Sequence, residues 1–107
     1  MNEPHQDIRH LGRVELLTPK PERTLWYFRN VLGMELVHAQ GKSVYLRGYG
    51  DYAAATLKLT EAAKPGIGCV SWRTANRAAL ERRCKAIEHA GLGIGWLEDE
   101  FGHGRAF

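Results

Sequence analysis

Leu25-Trp26-Tyr27-Phe28-Arg29-Asn30-Val31-Leu32-Gly33-Met34 is the stretch whose reading decides the fold. Leu25, Phe28 and Leu32 recur at i, i+3 and i+7, which places one apolar stripe on a helix of 3.6 residues per turn. Gly33 stands where such a helix needs a left-handed residue to end. Met34-Glu35-Leu36-Val37-His38 then reads as an extended segment. Trp26, Tyr27 and Asn30 lie off the stripe, so an aromatic is expected to reach a second surface. A helix held between two strands and released by a glycine is what the rest of the chain must accommodate.

Before the helix, residues 1–7 are polar and read as a frayed start, and residues 8–18 as a first strand carrying Leu11, Val14, Leu16 and Leu17. Thr18-Pro19-Lys20-Pro21 is a loop, since proline removes a ladder donor; Pro21 alternatively opens the helix. The spacing predicts that helix over residues 22–32. After it, residues 35–40 and 43–50 form a hairpin about Gln40-Gly41-Lys42. Val44 and Leu46 alternate with Tyr45 and Arg47, so one face is expected to be buried. A loop at Tyr49-Gly50-Asp51-Tyr52 leads to a strand over residues 53–61, and Ala62-Ala63-Lys64-Pro65-Gly66 breaks the chain.

Past that break the pattern starts again. Gly68-Cys69-Val70-Ser71-Trp72 matches the layout of Gly12-Arg13-Val14-Glu15-Leu16. A loop at Thr74-Ala75 precedes a helix with Asn76 as N-cap. Leu80, Cys84 and Ile87 form its stripe, Arg83 at the stripe's edge has to snorkel or pair, and Gly91 stops the helix as Gly33 stops the first. Strands over residues 94–98 and from 103 onward, about a turn at 99–102, complete the expectation. Corresponding features lie roughly 55 to 58 residues apart, the mark of an internal duplication. The fold class is therefore α+β, two tandem βαβββ-type modules forming one cupped mixed sheet in a single domain, residues 1–107. Module one takes about 8–63. Module two takes about 66–107 and is expected to be incomplete at its C-terminus, with an open sheet edge that favours dimerisation or aggregation.

Composition narrows the classes. The 107 residues are one domain's worth of chain, and 44% hydrophobic content supplies a core. A formal charge of +3 and a pI near 9.1 are mild. The basic residues are dispersed, and Arg77, Arg82, Arg83 and Lys85 share a helix with Glu81 and Glu88, which reads as a solvated face and not a nucleic-acid stripe. No run of about 18 apolar residues exists for a membrane helix. The polar start lacks the apolar stretch of a signal peptide. Cys69 and Cys84 both fall in apolar patterns and read as buried reduced thiols, which favours a cytoplasmic protein.

Tyr27-Phe28-x-x-Val31-Leu32-Gly33-Met34 at the end of the first helix, within two βαβββ units, resembles the vicinal-oxygen-chelate superfamily of glyoxalase I, bleomycin- and fosfomycin-resistance proteins and extradiol dioxygenases. Leu11-Gly12-Arg13-Val14-Glu15-Leu16, Val44-Tyr45-Leu46, Lys64-Pro65-Gly66 and Gly102-His103-Gly104-Arg105-Ala106-Phe107 make it most similar to the N-terminal domain of catechol 2,3-dioxygenases. The fold hosts many chemistries, so metal ligands are the test. Members with an active site place a His on the first strand, a His or Glu on the fifth, and carboxylates late on the fourth or eighth. Extradiol enzymes hold Fe(II) with two His and one Glu, leaving positions for catecholate and O2.

Arg13 occupies the first-strand ligand position and Cys69 the fifth-strand one; only Glu61, late on the fourth strand, is a residue of suitable type and place. A guanidinium keeps its proton and repels a divalent cation. The resemblance thus implies no catalytic, cofactor-binding or metal-binding residue in this chain. It implies Fe(II) bound elsewhere in a parent enzyme, a C-terminal catalytic domain as partner, homo-oligomers, and no nucleic-acid or membrane partner. His5, His10, His38, His89 and His103 share no matched ligand positions and read as surface or half-buried polar residues, with His89 placed to suit a helix C-terminus. Gly102-His103-Gly104 lacks the lysine and helix start of a phosphate loop. The alternative is a small glyoxalase/bleomycin-resistance-like protein that dimerises and binds a ligand in its cupped sheet. A metal-dependent glyoxalase or thiol transferase fits less, because Arg13 and Cys69 replace its ligands.

Overall fold

Leu46, Leu57 and Leu59 are the buried centre of the protein, and Leu16, Leu25, Phe28, Met34, Leu36 and Val44 pack against them. A computed structural model describes residues 6–98, 101–102 and 104–107 and shows how alternation along the strands creates that centre. The elements are β1 (Ile8–Thr18), α1 (Pro21–Trp26) continued by a wider turn (Tyr27–Val31), β2 (Glu35–Gln40), β3 (Ser43–Arg47), β4 (Leu57–Glu61), β5 (Gly66–Thr74) and α2 (Arg77–His89). They build one mixed sheet of order β2-β3-β4-β1-β5. β1 runs parallel to β4 and antiparallel to β5, while β2, β3 and β4 form an antiparallel meander.

The first helix spans residues 21–31, within one position of its predicted bounds, but changes geometry partway. Pro21 opens it, its missing N–H falling where no partner is needed, and regular α geometry ends at Trp26. From Tyr27 the chain widens, the Leu32 N–H reaching back five residues to the Tyr27 carbonyl at 3.2 Å, a π turn of the kind that interrupts helices. Gly33 follows at φ +74°, and the Met34 N–H closes onto the Phe28 carbonyl at 2.9 Å. Trp26 and Tyr27 stay largely exposed, as their place off the stripe anticipates.

α2 keeps its expected start and stop. The Asn76 side chain accepts from the Ala79 N–H at 2.8 Å, and Gly91 has φ +75°. One neighbouring expectation is corrected. Asp7 is buried at the head of β1, its carboxylate 2.6 Å from Arg82 Nη2 and 2.9 Å from Arg83 Nε. The start is therefore tethered there, while the face that carries both arginines stays solvated as expected, Arg83 paired as its position required. Residues 1–5 lie outside the described residues.

Three element boundaries and two burial expectations also differ. β3 ends at Arg47 because Asp51 folds the chain back: its Oδ2 accepts from the Gly48 N–H at 2.7 Å and from the Thr56 hydroxyl at 2.8 Å. For the same reason the strand predicted from residue 53 begins only at Leu57. Both Tyr45 and Leu46 are buried, so the sheet is covered on two faces there and not one. Residues 94–98 form no ladder, and a bridge between Leu97 and Ala106 is what remains of the predicted pair of strands; His103 lies outside the described residues. Cys84 is buried but Cys69 is exposed, since β5 borders the sheet and only β1 lies beside it.

Candidate functional site

Alternation sorts the sheet into two chemistries. One face carries the leucines that meet α1. The other carries Arg13 and Glu15 from β1, Ser43 and Tyr45 from β3, and Lys58 and Thr60 from β4, brought side by side by the pairings Glu15 with Lys58, Tyr45 with Lys58 and Ser43 with Thr60. Thr60 donates its hydroxyl to Glu15 Oε2 at 2.6 Å and lies 2.8 Å from the Ser43 hydroxyl. Lys58 Nζ is 3.5 Å from the same carboxylate oxygen. Gly68 makes room for Glu15, because a Cβ there would lie 2.4 Å from Glu15 Oε1.

Arg13 is 3% exposed. Its Nε donates to the Ala55 carbonyl at 3.2 Å and its Nη2 to the Phe101 carbonyl at 2.9 Å. Its guanidinium carbon stands 5.4 Å from the centroid of the Tyr45 ring, and Lys58 Nζ stands 5.5 Å from that ring, within the range of cation–π attraction. His38 joins from β2, its ring 5.5 Å from Tyr45 and stacked on Phe101 at 4.3 Å with the planes 3° apart. Phe101 also lies 5.2 Å from Tyr45.

The ligand positions read from the strands fall out as follows. Cys69 is paired with Glu15 and Ser71 with Arg13, so Arg13 and Cys69 share this polar face as the register argument expects. Glu61 does not share it. It is paired with Thr18 at the far end of β1 and alternates with Thr60 and Lys58, so its side chain joins the helix side, in an open groove with Lys20, Arg23 and Trp26. Glu61 is therefore corrected from a candidate ligand to a groove residue. The surviving first-strand position holds a buried cation already bonded to two carbonyls, and the donors around it do not fit a divalent metal ion. Among the described residues no three His, Cys, Asp or Glu side chains converge as a metal cage.

Elsewhere the titratable groups are structural. The Thr56 hydroxyl, then the Gly48 N–H and the Arg47 charge, hold the Asp51 carboxyl below its ordinary value. Burial, with the Glu88 carboxylate beside it, pushes the Cys84 thiol up, away from nucleophilic reactivity. Sequence reasoning passed over Glu15, Tyr45, Lys58 and Phe101. The alternation of β3 did separate Tyr45 from Val44 and Leu46, but nothing local showed that residues near 101 cover it. No helix among the described residues is long and apolar enough to cross a membrane.

Known proteins are similar to this chain. No family model matches the chain. It is 48% identical over 105 residues to metapyrocatechase of Geobacillus stearothermophilus, which covers 98% of this chain and 32% of that protein. It is 32% identical over 102 residues to the manganese-dependent 2,3-dihydroxybiphenyl 1,2-dioxygenase of Geobacillus genomosp. 3, covering 94% of this chain and 32% of that protein. The chain thus spans about a third of the length of these relatives. Homoprotocatechuate 2,3-dioxygenase from B. fuscum superposes with a TM-score of 0.80 at 18% identity, over 92% of this chain and 27% of that one, which shows a common fold. One of these relatives is named for manganese, and that chemistry belongs to it as a whole protein. Sheet order, helix placement and these identities together make the chain a vicinal-oxygen-chelate domain of the kind found at the N-terminus of extradiol dioxygenases.

Proposed function

We infer that this chain serves as the N-terminal, non-catalytic domain of an Fe(II)-dependent extradiol ring-cleavage dioxygenase acting on catechols. The observation that carries this is the 48% identity over nearly the whole chain to one third of metapyrocatechase. Arg13 supports the non-catalytic part: a buried guanidinium at the first-strand ligand position opposes a metal ion there. The reacting centre is assigned to a C-terminal domain of the same protein, where iron supplies the site for catecholate and O2. Iron is chosen over manganese although one relative is named for manganese. The domain's own work is packing and subunit contact, and its two modules take residues 8–63 and 66–107. A homo-oligomeric parent and a cytoplasmic location complete the reading.

The test is metal analysis with activity. The purified chain, incubated without oxygen with Fe(II) or Mn(II) and then desalted, is expected to retain far less than one metal per chain and to leave catechol uncleaved. The natural polypeptide that contains this chain is expected to hold one Fe(II) per subunit and to open the ring. One tightly held metal ion per isolated chain, or a natural polypeptide without ring cleavage, overturns the reading.

A further inference from the structure

We propose that the polar face of the sheet is a binding site for an arylalkyl carboxylate of the 3-phenylpropanoate class, held closed by Phe101 acting as a built-in occupant. The proposal concerns this chain's own residues and does not rest on the parent's reaction.

Phe101 shows what the face accepts. Its ring is stacked flat on His38 at 4.3 Å and leans on Tyr45 at 5.2 Å, while its carbonyl oxygen takes the Nη2 hydrogen of Arg13 at 2.9 Å. Ring and oxygen acceptor are thus recognised together, by two aromatic walls and one guanidinium. In a phenylalanine residue the ring is joined through Cβ and Cα to the carbonyl carbon, which is the skeleton of 3-phenylpropanoate. A free carboxylate in place of that neutral carbonyl makes a charge-assisted bond to Arg13, roughly twice as strong as the neutral one. Lys58, beside the same Tyr45 ring, adds a second cation, partly balanced by Glu15. Tyr45 and Arg13 are each 3% exposed beneath a half-buried Phe101, so an occupant shields them from water, which strengthens both the stacking and the ionic contact.

The occupant is also held at a cost. Phe101 adopts φ +38°, the one left-handed non-glycine backbone among the described residues. A ring-bearing residue takes that conformation only where its surroundings compel it, and such strain gathers at ligand clamps and switches. Gly102 next to it has φ +70° and sits so close to Ala54 that a Cβ would lie 2.7 Å from the Ala54 Cβ. The turn is pressed into the face from both residues.

The experiment compares the unmodified chain with F101A by calorimetry and by amide shifts in NMR, using 3-phenylpropanoate as the probe, with benzoate, propanoate and 3-phenylpropanol as controls. F101A is expected to bind 3-phenylpropanoate saturably and at least about tenfold more tightly than the unmodified chain, with shifts at Arg13, Tyr45 and Lys58. Benzoate, propanoate and the alcohol are expected to bind at least about fivefold more weakly, for want of reach, ring and charge respectively. F101G repeats the test if F101A does not fold, since glycine adopts φ +38° without strain. If neither folds, the unmodified chain is titrated alone, and saturable displacement of the His38 ring resonances by 3-phenylpropanoate supports the proposal. Folded variants that bind no better than the unmodified chain, controls that bind as well as the probe, or a His38 ring indifferent to the probe overturn it and leave Phe101 a packing residue only.

Discussion

Arg13 and Phe101 stand 88 positions apart in the chain and are joined by a 2.9 Å bond from Nη2 to the backbone carbonyl. The same guanidinium holds the Ala55 carbonyl at 3.2 Å, so one side chain ties β1 to the turn before β4 and to the distant C-terminal turn. Arg13→Ala leaves two inward carbonyls without that donor and opens a void beneath Tyr45. The expected loss is about 3 kcal/mol of unfolding free energy. Arg13→Lys keeps the charge but not the fork and is expected to recover less than half of it. Urea unfolding followed by far-UV circular dichroism measures both; a loss below about 0.5 kcal/mol for Arg13→Ala would show the bonds to be incidental.

Asp7 makes the second long-range tie. Its carboxylate is 4% exposed and lies between Arg82 and Arg83, each near two-fifths exposed, while its carbonyl accepts the Ala75 N–H at 2.7 Å. That carboxylate also raises the already high Arg82 pKa, so the arginine stays charged at every pH where the protein folds. Asp7→Asn keeps the shape and loses the charge. Because both guanidinium groups return to water, the expected cost is about 2 kcal/mol, set by lost charge-assisted bonds and not by stranded charge. Arg82→Ala and Arg83→Ala should each cost less than Asp7→Asn, and the double variant with Asp7→Asn should fall short of the sum. Full additivity in the denaturation series would break the three-residue account.

These two ties mark the limit of sequence reading. Gly33, Gly91, the Asn76 cap and the extent of β1 and β2 follow from residues within a turn of one another, and each was legible. The superfamily was legible too, because a glycine-stopped helix between strands recurs along the chain. Arg13 read as a residue that opposes a metal ion, but its acceptors are 42 and 88 positions away, and no local pattern encodes such distances. Asp7 read as part of a loose start because its partners sit on α2. Glu61 was misjudged for a subtler reason: its residue type suits a ligand, but β4 alternation turns it to the helix side. Phe101 lay in a stretch read only as turn, so the covering of Tyr45 could not be anticipated.

Gly33 and Gly91 provide a test of the two helix stops. They lie roughly 58 residues apart, with φ +74° and +75°, and an added Cβ at either would touch nothing within 4 Å. Any cost of alanine there is therefore backbone strain alone. Gly33→Ala and Gly91→Ala are each expected to lose about 1 kcal/mol, and the pair to add, since an added Cβ at either meets nothing within 4 Å through which the two could couple. Gly66→Ala, at an open position without left-handed geometry, serves as control and should change stability by less than about 0.5 kcal/mol. Equal effects at all three glycines, read from urea midpoints, would refute the assignment of strain to the helix stops.

Asp51 sets the acid behaviour of the β3–β4 connection. Its pKa is depressed in the folded chain, first by the Thr56 hydroxyl, then by the Gly48 N–H and the Arg47 charge. The unfolded chain binds the proton more readily, so stability from this group rises with pH across the interval between the two values. The contribution is complete above the ordinary carboxylate value of 3.8 and is lost as pH falls through the lower folded value. The carboxylate is only lightly desolvated, which limits the contribution to about 1 kcal/mol. Asp51→Ala should accordingly be less stable than the parent chain by about that amount near pH 7, with the difference constant to about pH 4.5 and narrowing as pH falls below the ordinary carboxylate value. Paired urea titrations at those pH values check it. A gap that persists unchanged into acid would mean that Asp51 acts through turn shape alone, because a protonated side chain would then hold Gly48 and Thr56 as well as the carboxylate does.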